Sequence, residues 1–305
     1  MKIVCLVGDY APLLYFARRI HERLSVSLVV VERGGAEPEA RASRARRLYW
    51  KWRKRGARRV LADLINRPAA RKRRSRLYPP GYRDDYERIL DDRHPALAPD
   101  TPRLVVRSVN DPEVREQLNE IGPDVLLDHG TDLVKSHIVE TAPLALNLHW
   151  GLSPYYRGSD CTEWALLNHD PYNVGVTVHK LAKSIDGGEV LGQARPPIEP
   201  GDTVHSINMK LTKLGTEIML DALAELAAGR ELAFHWQDRA LGLLYRSEYM
   251  TLKQRKLLNR SLAEGQLSRM LERPSRKKRL PIVEFTPSTE AQPCCAARLR
   301  TTCLP

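Results

Sequence analysis

Three residues in this sequence have the types and spacing for acyl-transfer chemistry: Asn147, His149 and Asp186. Asn147 and His149 stand two apart at the end of the apolar run 144–148 (LALNL), so on a strand their side chains share one face. Open α/β sheets hold ligands beyond the carboxyl ends of their strands. A loop with Gly151, Pro154 and Gly158 follows at once; it lets backbone approach a ligand and carries Arg157 as a candidate anion contact. Asp186 opens an Asp-Gly-Gly turn between two predicted strands, from which it could reach back to a histidine. An asparagine amide can donate to a tetrahedral oxyanion. A histidine near its ordinary pKa gives or takes a proton. An aspartate orients an imidazole, favours its charged form, or holds a water. No serine sits in a nucleophile elbow and no cysteine is positioned, so direct attack by a substrate amine fits better than a covalent acyl-enzyme. Taken singly, each residue also has a plainer reading: a structural histidine, a turn-forming asparagine or aspartate, a surface arginine. Their joint arrangement favours chemistry.

The elements that must position them read as α/β. Residues 2–8 and 26–32 are buried strands around a helix at 11–24, a βαβ opening with a right-handed crossover. Residues 38–66 read as a long basic helix and 67–100 as a loop with a short helix near 82–90. Further strands are predicted at 103–108, 124–128, 144–148, 174–181 and 189–195, with helices at 110–121, 134–140, 160–168 and 203–228. Residues 231–272 read as a short strand and two small helices. The predicted organisation is a catalytic domain over 1–230 with a basic helical insertion at about 36–100, an extension at 231–273, and a disordered tail at 274–305.

Composition narrows the function classes. The chain has 305 residues, 42% hydrophobic and 28% charged, the mix of a soluble globular protein. No apolar run is long enough to span a membrane, and no signal peptide is read at the N-terminus. Five scattered cysteines, Cys5, Cys161, Cys294, Cys295 and Cys303, imply a reducing, cytoplasmic location and lack zinc-ligand spacing, so no metal is expected. The net charge of +12 is local: residues 41–76 hold 16 Lys/Arg against one acid, Asp63, so the remainder is slightly acidic. That segment reads as a solvated face first, a contact for a phosphorylated acceptor second, and an RNA-binding face third, with Trp50 and Trp52 among its arginines. The first strand ends in Gly8-Asp9-Tyr10, so a dinucleotide-binding fingerprint is absent. His179 and His205 read as structural; His129 stays open between structure and function.

The segment 144–192 resembles the folate-dependent formyltransferase family, which includes the glycinamide ribonucleotide, methionyl-tRNA and sugar N-formyltransferases. The resemblance is carried by Asn147-Leu148-His149, Pro154-Tyr155-Tyr156-Arg157-Gly158, Trp164-Ala165-Leu166, Gly175-Val176-Thr177-Val178-His179, Ile185-Asp186-Gly187-Gly188 and Gly201-Asp202-Thr203. It covers roughly residues 1–10 and 103–228. It implies a mostly parallel Rossmann-like sheet flanked by helices, with a small helical C-terminal extension. It implies Asn147, His149 and Asp186 as catalytic residues, with His149 protonated, and 10-formyltetrahydrofolate as formyl donor. The donor would be held by Gly130, Thr131, Asp132, Leu133 and Val134 and by Lys183, Ile185 and Gly187. Ser153, Tyr156, Arg157 and Gly158 would face the acceptor. The implied partner is a small-molecule amine, first an amino sugar on a nucleotide carrier, then an amino-acid-type amine; formate-releasing hydrolysis of the donor is a further alternative. A homodimer is compatible with the family, and an RNA-binding protein on this scaffold is the reading from another class. The chain departs from the family in Trp150-Gly151-Leu152-Ser153-Pro154 where Pro-Ser-Leu-Leu-Pro is common, in the basic insertion, and in a C-terminal part too short for a β-barrel.

Overall fold

The computed structural model describes residues 1–33, 82–246, 249–272 and 279–287. The predicted basic helix, Trp50 and Trp52, and the three cysteines of the tail lie outside them. Seven strands form the central sheet: β1 (Ile3–Gly8), β2 (Leu28–Glu32), β3 (Arg103–Val106), β4 (Val125–His129), β5 (Leu144–His149), β7 (Val176–Lys180) and β8 (Val190–Ala194). Their order is β3-β2-β1-β4-β5-β7-β8. The first five are parallel; β7 runs antiparallel to β5 and β8 antiparallel to β7. The sheet is therefore mostly parallel and Rossmann-like, as expected from alternating apolar strands and amphipathic helices. A separate two-stranded ribbon, unforeseen in the sequence, pairs β6 (Tyr156–Gly158) with β9 (Leu243–Tyr245).

The strands bury both faces, which explains why KIVCLVG and VSLVVVE read as continuous apolar runs rather than alternating ones. One face packs on α1 (Ala11–Leu24) and α6 (Val204–Ala227), the other on α3 (Pro112–Ile121) and α4 (Ser136–Val139). The long helix α6 starts at a reciprocal cap: Thr203 accepts from the Ser206 amide at 3.1 Å, and the Thr203 amide donates to Ser206 at 2.9 Å. Helix α2 (Tyr82–Leu90) lays Tyr82 and Tyr86 against Tyr15 and Met209. Helix α5 (Cys161–Leu167) follows β6, and α7 (Leu252–Ala263) and α8 (Gln266–Glu272) form the C-terminal extension. Within the tail predicted to be disordered, residues 279–287 are held beside β8: the Gln193 amide donates to Val283 O at 2.6 Å, and Phe285 packs on the core.

His129, left open by the sequence, points into the core between Phe16 and Trp150 and pairs through Nδ1 with Leu148 O at 2.9 Å. Burial pushes its pKa down to about 3 from 6.5, so it is a neutral packing group. The unfolded chain binds its proton first as pH falls. Its contribution to stability is present above about pH 6.5 and is lost progressively from there toward pH 3. His129→Phe is expected to flatten that limb of the urea midpoint against pH.

Candidate active site

The carboxyl ends of β4, β5 and β7 and the turn before β8 converge on one cluster. In the antiparallel register Asn147 stands directly opposite His179. Asn147 Nδ2 lies 3.1 Å from His179 Nε2 and 3.4 Å from Asp186 Oδ1. His179 Nδ1 sits 2.8 Å from Lys180 O; a carbonyl only accepts, so Nδ1 carries the proton and Nε2 accepts from Asn147. One amide hydrogen of Asn147 is thus committed to His179, and the second makes only a long contact to Asp186. The sequence placed His179 among structural histidines; the structure puts it within the cluster, and only the β5–β7 register reveals that.

His149 Nε2 lies 2.9 Å from Tyr156 O, which places its proton on Nε2 by the same argument. Its Nδ1 faces Asp186 Oδ2 at 3.5 Å. Burial holds His149 below the ordinary histidine range despite the pull of Asp186, so the imidazole is neutral at pH 7. That replaces the expectation of a standing imidazolium: Nδ1 is an open proton acceptor whose charged form the neighbouring carboxylate would stabilise. Asp186 itself stays ionised. Burial opposes its charge, but attraction to the protonated forms of His149 and His179, together with the Gly158 amide bond, outweighs that and holds the carboxyl far below the usual range.

Asp186 is positioned by unusual backbone. It adopts φ 45°, a left-handed conformation that aspartate tolerates better than most residues. The Gly158 amide donates to its Oδ2 at 2.6 Å. Gly158 has φ 96°, and a Cβ there would lie 1.9 Å from Tyr245 O across the β6–β9 ribbon. Arg157 is a clamp rather than a substrate contact. Only 8% exposed, it donates to Pro154 O, Ile185 O and Arg239 O at 3.3, 3.5 and 3.2 Å, tying the turn to the loop.

The cluster lies in a cavity of about 710 Å³, with one wall from 128–134, 181–182 and 184–186 and the other from 158–163 and 244–246. Of the residues implied to hold a donor, Gly130, Thr131, Asp132, Leu133, Val134 and Ile185 line it; Lys183 and Gly187 do not. Of those implied to face the acceptor, only Gly158 does. Ser153 and Tyr156 are buried at 1% and 6% exposure, and the Tyr156 hydroxyl donates to Asp170 at 2.8 Å, so both are packing residues. The wall across the cavity from 128–134 is instead formed in part by Asp160, Thr162, Glu163, Tyr245 and Arg246. Arg255 of α7 braces it, 2.5 Å from Asp160 and 2.6 Å from Glu163. None of these carried a sequence signal, because their place depends on how the C-terminal extension docks.

The loop 130–134 is pinned from behind. Glu32 accepts the Val109 amide at 2.9 Å and the Asp132 amide at 2.6 Å, and Asn110 binds Lys135 N and Leu133 O at 2.7 and 3.0 Å. Leu133 and Ile185 are left 60% and 37% exposed on the cavity wall, an apolar pair facing a polar floor. That combination suits a flat ring with polar edges. Among the described residues no group of three or more His, Cys, Asp or Glu has metal-binding geometry, and no helix is long and apolar enough to cross a membrane.

Comparison with known proteins agrees with the motif order. Residues 82–223 match the family model described as formyl transferase. A methionyl-tRNA formyltransferase of Koribacter versatilis (strain Ellin345) is 35% identical over 122 residues, 39% of each chain. Another from Chlorobium chlorochromatii (strain CaD3) is 31% identical over 134 residues, 44% of this chain and 42% of that one. The match thus spans about two fifths of the length of these curated relatives. An N-formyltransferase from Helicobacter canadensis, solved with folinic acid and dTDP-3-aminofucose, has the same fold with a TM-score of 0.50 and 13% identity over 82% of this chain and 73% of that one. A protein from Mycobacterium tuberculosis superposes with a TM-score of 0.50 and 15% identity over 85% of both chains. Residues 82–223, a little under half of the chain, are thus similar to the formyl transferase family.

Proposed function

We propose that this chain moves a formyl group from 10-formyltetrahydrofolate to a primary amine, with an amino sugar on a nucleotide carrier as the leading acceptor. The observation that carries the reading is the convergence of Asn147, His149 and His179 on the single ionised Asp186 beside a two-sided cavity. One side, with Leu133, Ile185 and the pinned backbone of 130–134, fits the folate ring; the other is open to an amine. When bound, the donor supplies an electrophilic formyl carbon. Asn147 turns its loosely held amide hydrogen from Asp186 to the oxyanion that develops there. His149 takes a proton at Nδ1, and Asp186 stabilises the resulting charge. His179 keeps the Asn147 amide facing the cavity the right way round. The choice of an amino sugar draws support from the dTDP-3-aminofucose named with the Helicobacter structure.

The test is calorimetric titration with folinic acid, a stable formylfolate, followed by a screen of nucleotide-linked amino sugars and amino acids for formyl transfer. Micromolar binding with transfer to one acceptor class is the expected result. A folded protein that binds no folate would overturn the reading. Asn147→Ala is expected to lower kcat roughly 10²–10³-fold with the fold intact by circular dichroism. A variant with wild-type kcat would remove Asn147 from oxyanion binding.

A further inference from the structure

Asp128 is the penultimate residue of β4 and has no part in the scheme above. The register sets it beside Asn147 on β5, and Asn147 beside His179 on β7. Paired positions on adjacent strands share a face and sit about 5 Å apart. Asp128, Asn147 and His179 thus form one row across the cavity floor. Asp128 is 6% exposed and lines the cavity.

The hydrogen bonds around it leave a place for a proton. Thr131 Oγ1 lies 2.6 Å from Asp128 Oδ1 and 2.8 Å from Asp132 O. A hydroxyl has one hydrogen, and a carbonyl cannot donate. Both contacts close together when Thr131 donates to Asp132 O and a protonated Asp128 donates to Thr131. The charged surroundings agree. Glu32 at the end of β2 and Asp186 in the turn before β8 both oppose a charge on Asp128, and His179 on β7 favours it only weakly. Leu6 and Asn147 on the flanking strands are uncharged, and Asp9 beyond β1 is paired with Arg33 at 3.0 Å. Burial first, with those carboxylates, pushes the Asp128 pKa up to about 7 against the Thr131 hydroxyl bond, which favours the charged form, while Asp186 in the same cavity is held far down. Two carboxyl groups in one site with values driven apart divide the work into a fixed anion and a proton carrier.

We propose that Asp128 is an acid–base group of this site, carrying the proton that a transfer between two nitrogens has to move. The inference rests on the formyl-transfer reading. In that reaction a bond forms between the acceptor nitrogen and the formyl carbon, and the bond from that carbon to the donor nitrogen breaks. The acceptor nitrogen must shed one proton and the donor nitrogen must gain one. Asp128 gives its proton to the departing nitrogen, and the carboxylate left behind is reprotonated with the amine proton first taken at His149 Nδ1. Asp128 ends as it began, and no further reactant is needed.

The experiment compares wild type with Asp128→Asn and Asp128→Glu. The asparagine keeps the shape and can still bond to Thr131, so it is expected to fold. Isotope-edited infrared difference spectra across pH 5–9 read the carboxyl directly, without any acceptor. A protonated-carboxyl band titrating near pH 7 in wild type and missing in Asp128→Asn is the expected result. With the acceptor found in the screen, Asp128→Asn is expected to lose roughly 10²–10³-fold in kcat, with folinic acid affinity held within about threefold and the neutral-pH limb of kcat flattened. Asp128→Glu should recover part of the rate and the limb. An unchanged kcat in Asp128→Asn, or weakened folinic acid binding at unchanged kcat, overturns the relay; the second outcome would make Asp128 a ring-recognition group. A wild-type protein that binds no folinic acid overturns the formyl-transfer reading itself, which separates the two failures.

Discussion

Asp186→Asn is expected to cost turnover on the order of 10³–10⁴-fold while leaving the fold in place. The side chain is the one point that His149, His179, Asn147 and the Gly158 amide share. Asparagine can hold φ 45° and can still accept from Gly158, so the turn keeps its tether. Arg157 and Gln237 also grip the turn independently, through Ile185 O and Asp186 O. What disappears is the negative charge that would stabilise a proton on His149. Asp186→Ala removes charge and tether together and adds backbone strain of about 1 kcal/mol or more, so its comparison with Asp186→Asn divides the loss between chemistry and scaffold. The measurement is steady-state kinetics beside thermal melts. Folded Asp186→Asn with near-normal kcat would show that the site works without a fixed anion.

The second large effect falls on stability. Gly158→Ala places a methyl 1.9 Å from Tyr245 O at a residue with φ 96°, a conformation alanine strongly avoids. Neither partner is a flexible side chain, so the β6–β9 pairing has to part. The expected cost is about 3–5 kcal/mol by urea unfolding, at the severe end for a single substitution. Activity should fall with it, because the same residue donates to Asp186 and because Tyr245 and Arg246 line the cavity. Gly201→Ala is the matched control: nothing lies within 4 Å of the added methyl, and it should be silent. Equal stability of the two variants would mean that the ribbon yields at little cost.

These effects mark what the sequence could and could not disclose. The strands of the central sheet and α1, α3, α5 and α6 were legible because burial on both faces or one stripe leaves a hydrophobic period. Asn147, His149 and Asp186 were legible because residue type, spacing and turn chemistry coincide. His179 was not, since its partner is set by an antiparallel register that no local pattern encodes. Arg157 was misjudged for a related reason. A cation in a glycine-containing loop looks like an anion contact until the carbonyls of three separate segments are found around it. Asp128 stands in an apolar run where an acid looks like a strand end; its meaning appears only beside Thr131, Glu32 and Asp186. The ribbon β6–β9 is too short, at three residues a strand, to leave a period at all.

The chain held beside β8 has a consequence for how copies of this protein behave in concentrated solution. A sheet's last strand exposes a row of unspent amides and carbonyls on which a neighbour can grow. Here Val190 exchanges both backbone bonds with His235, and the Gln193 amide donates to Val283 O while its side-chain oxygen accepts from the Val283 amide. Gly192, lacking a Cβ, lets Phe285 lie against the strand. The protein thus seals its own margin with its own chain. Removing residues 279–287 would bare the Gln193 end of that margin, leaving backbone groups on which another strand could pair.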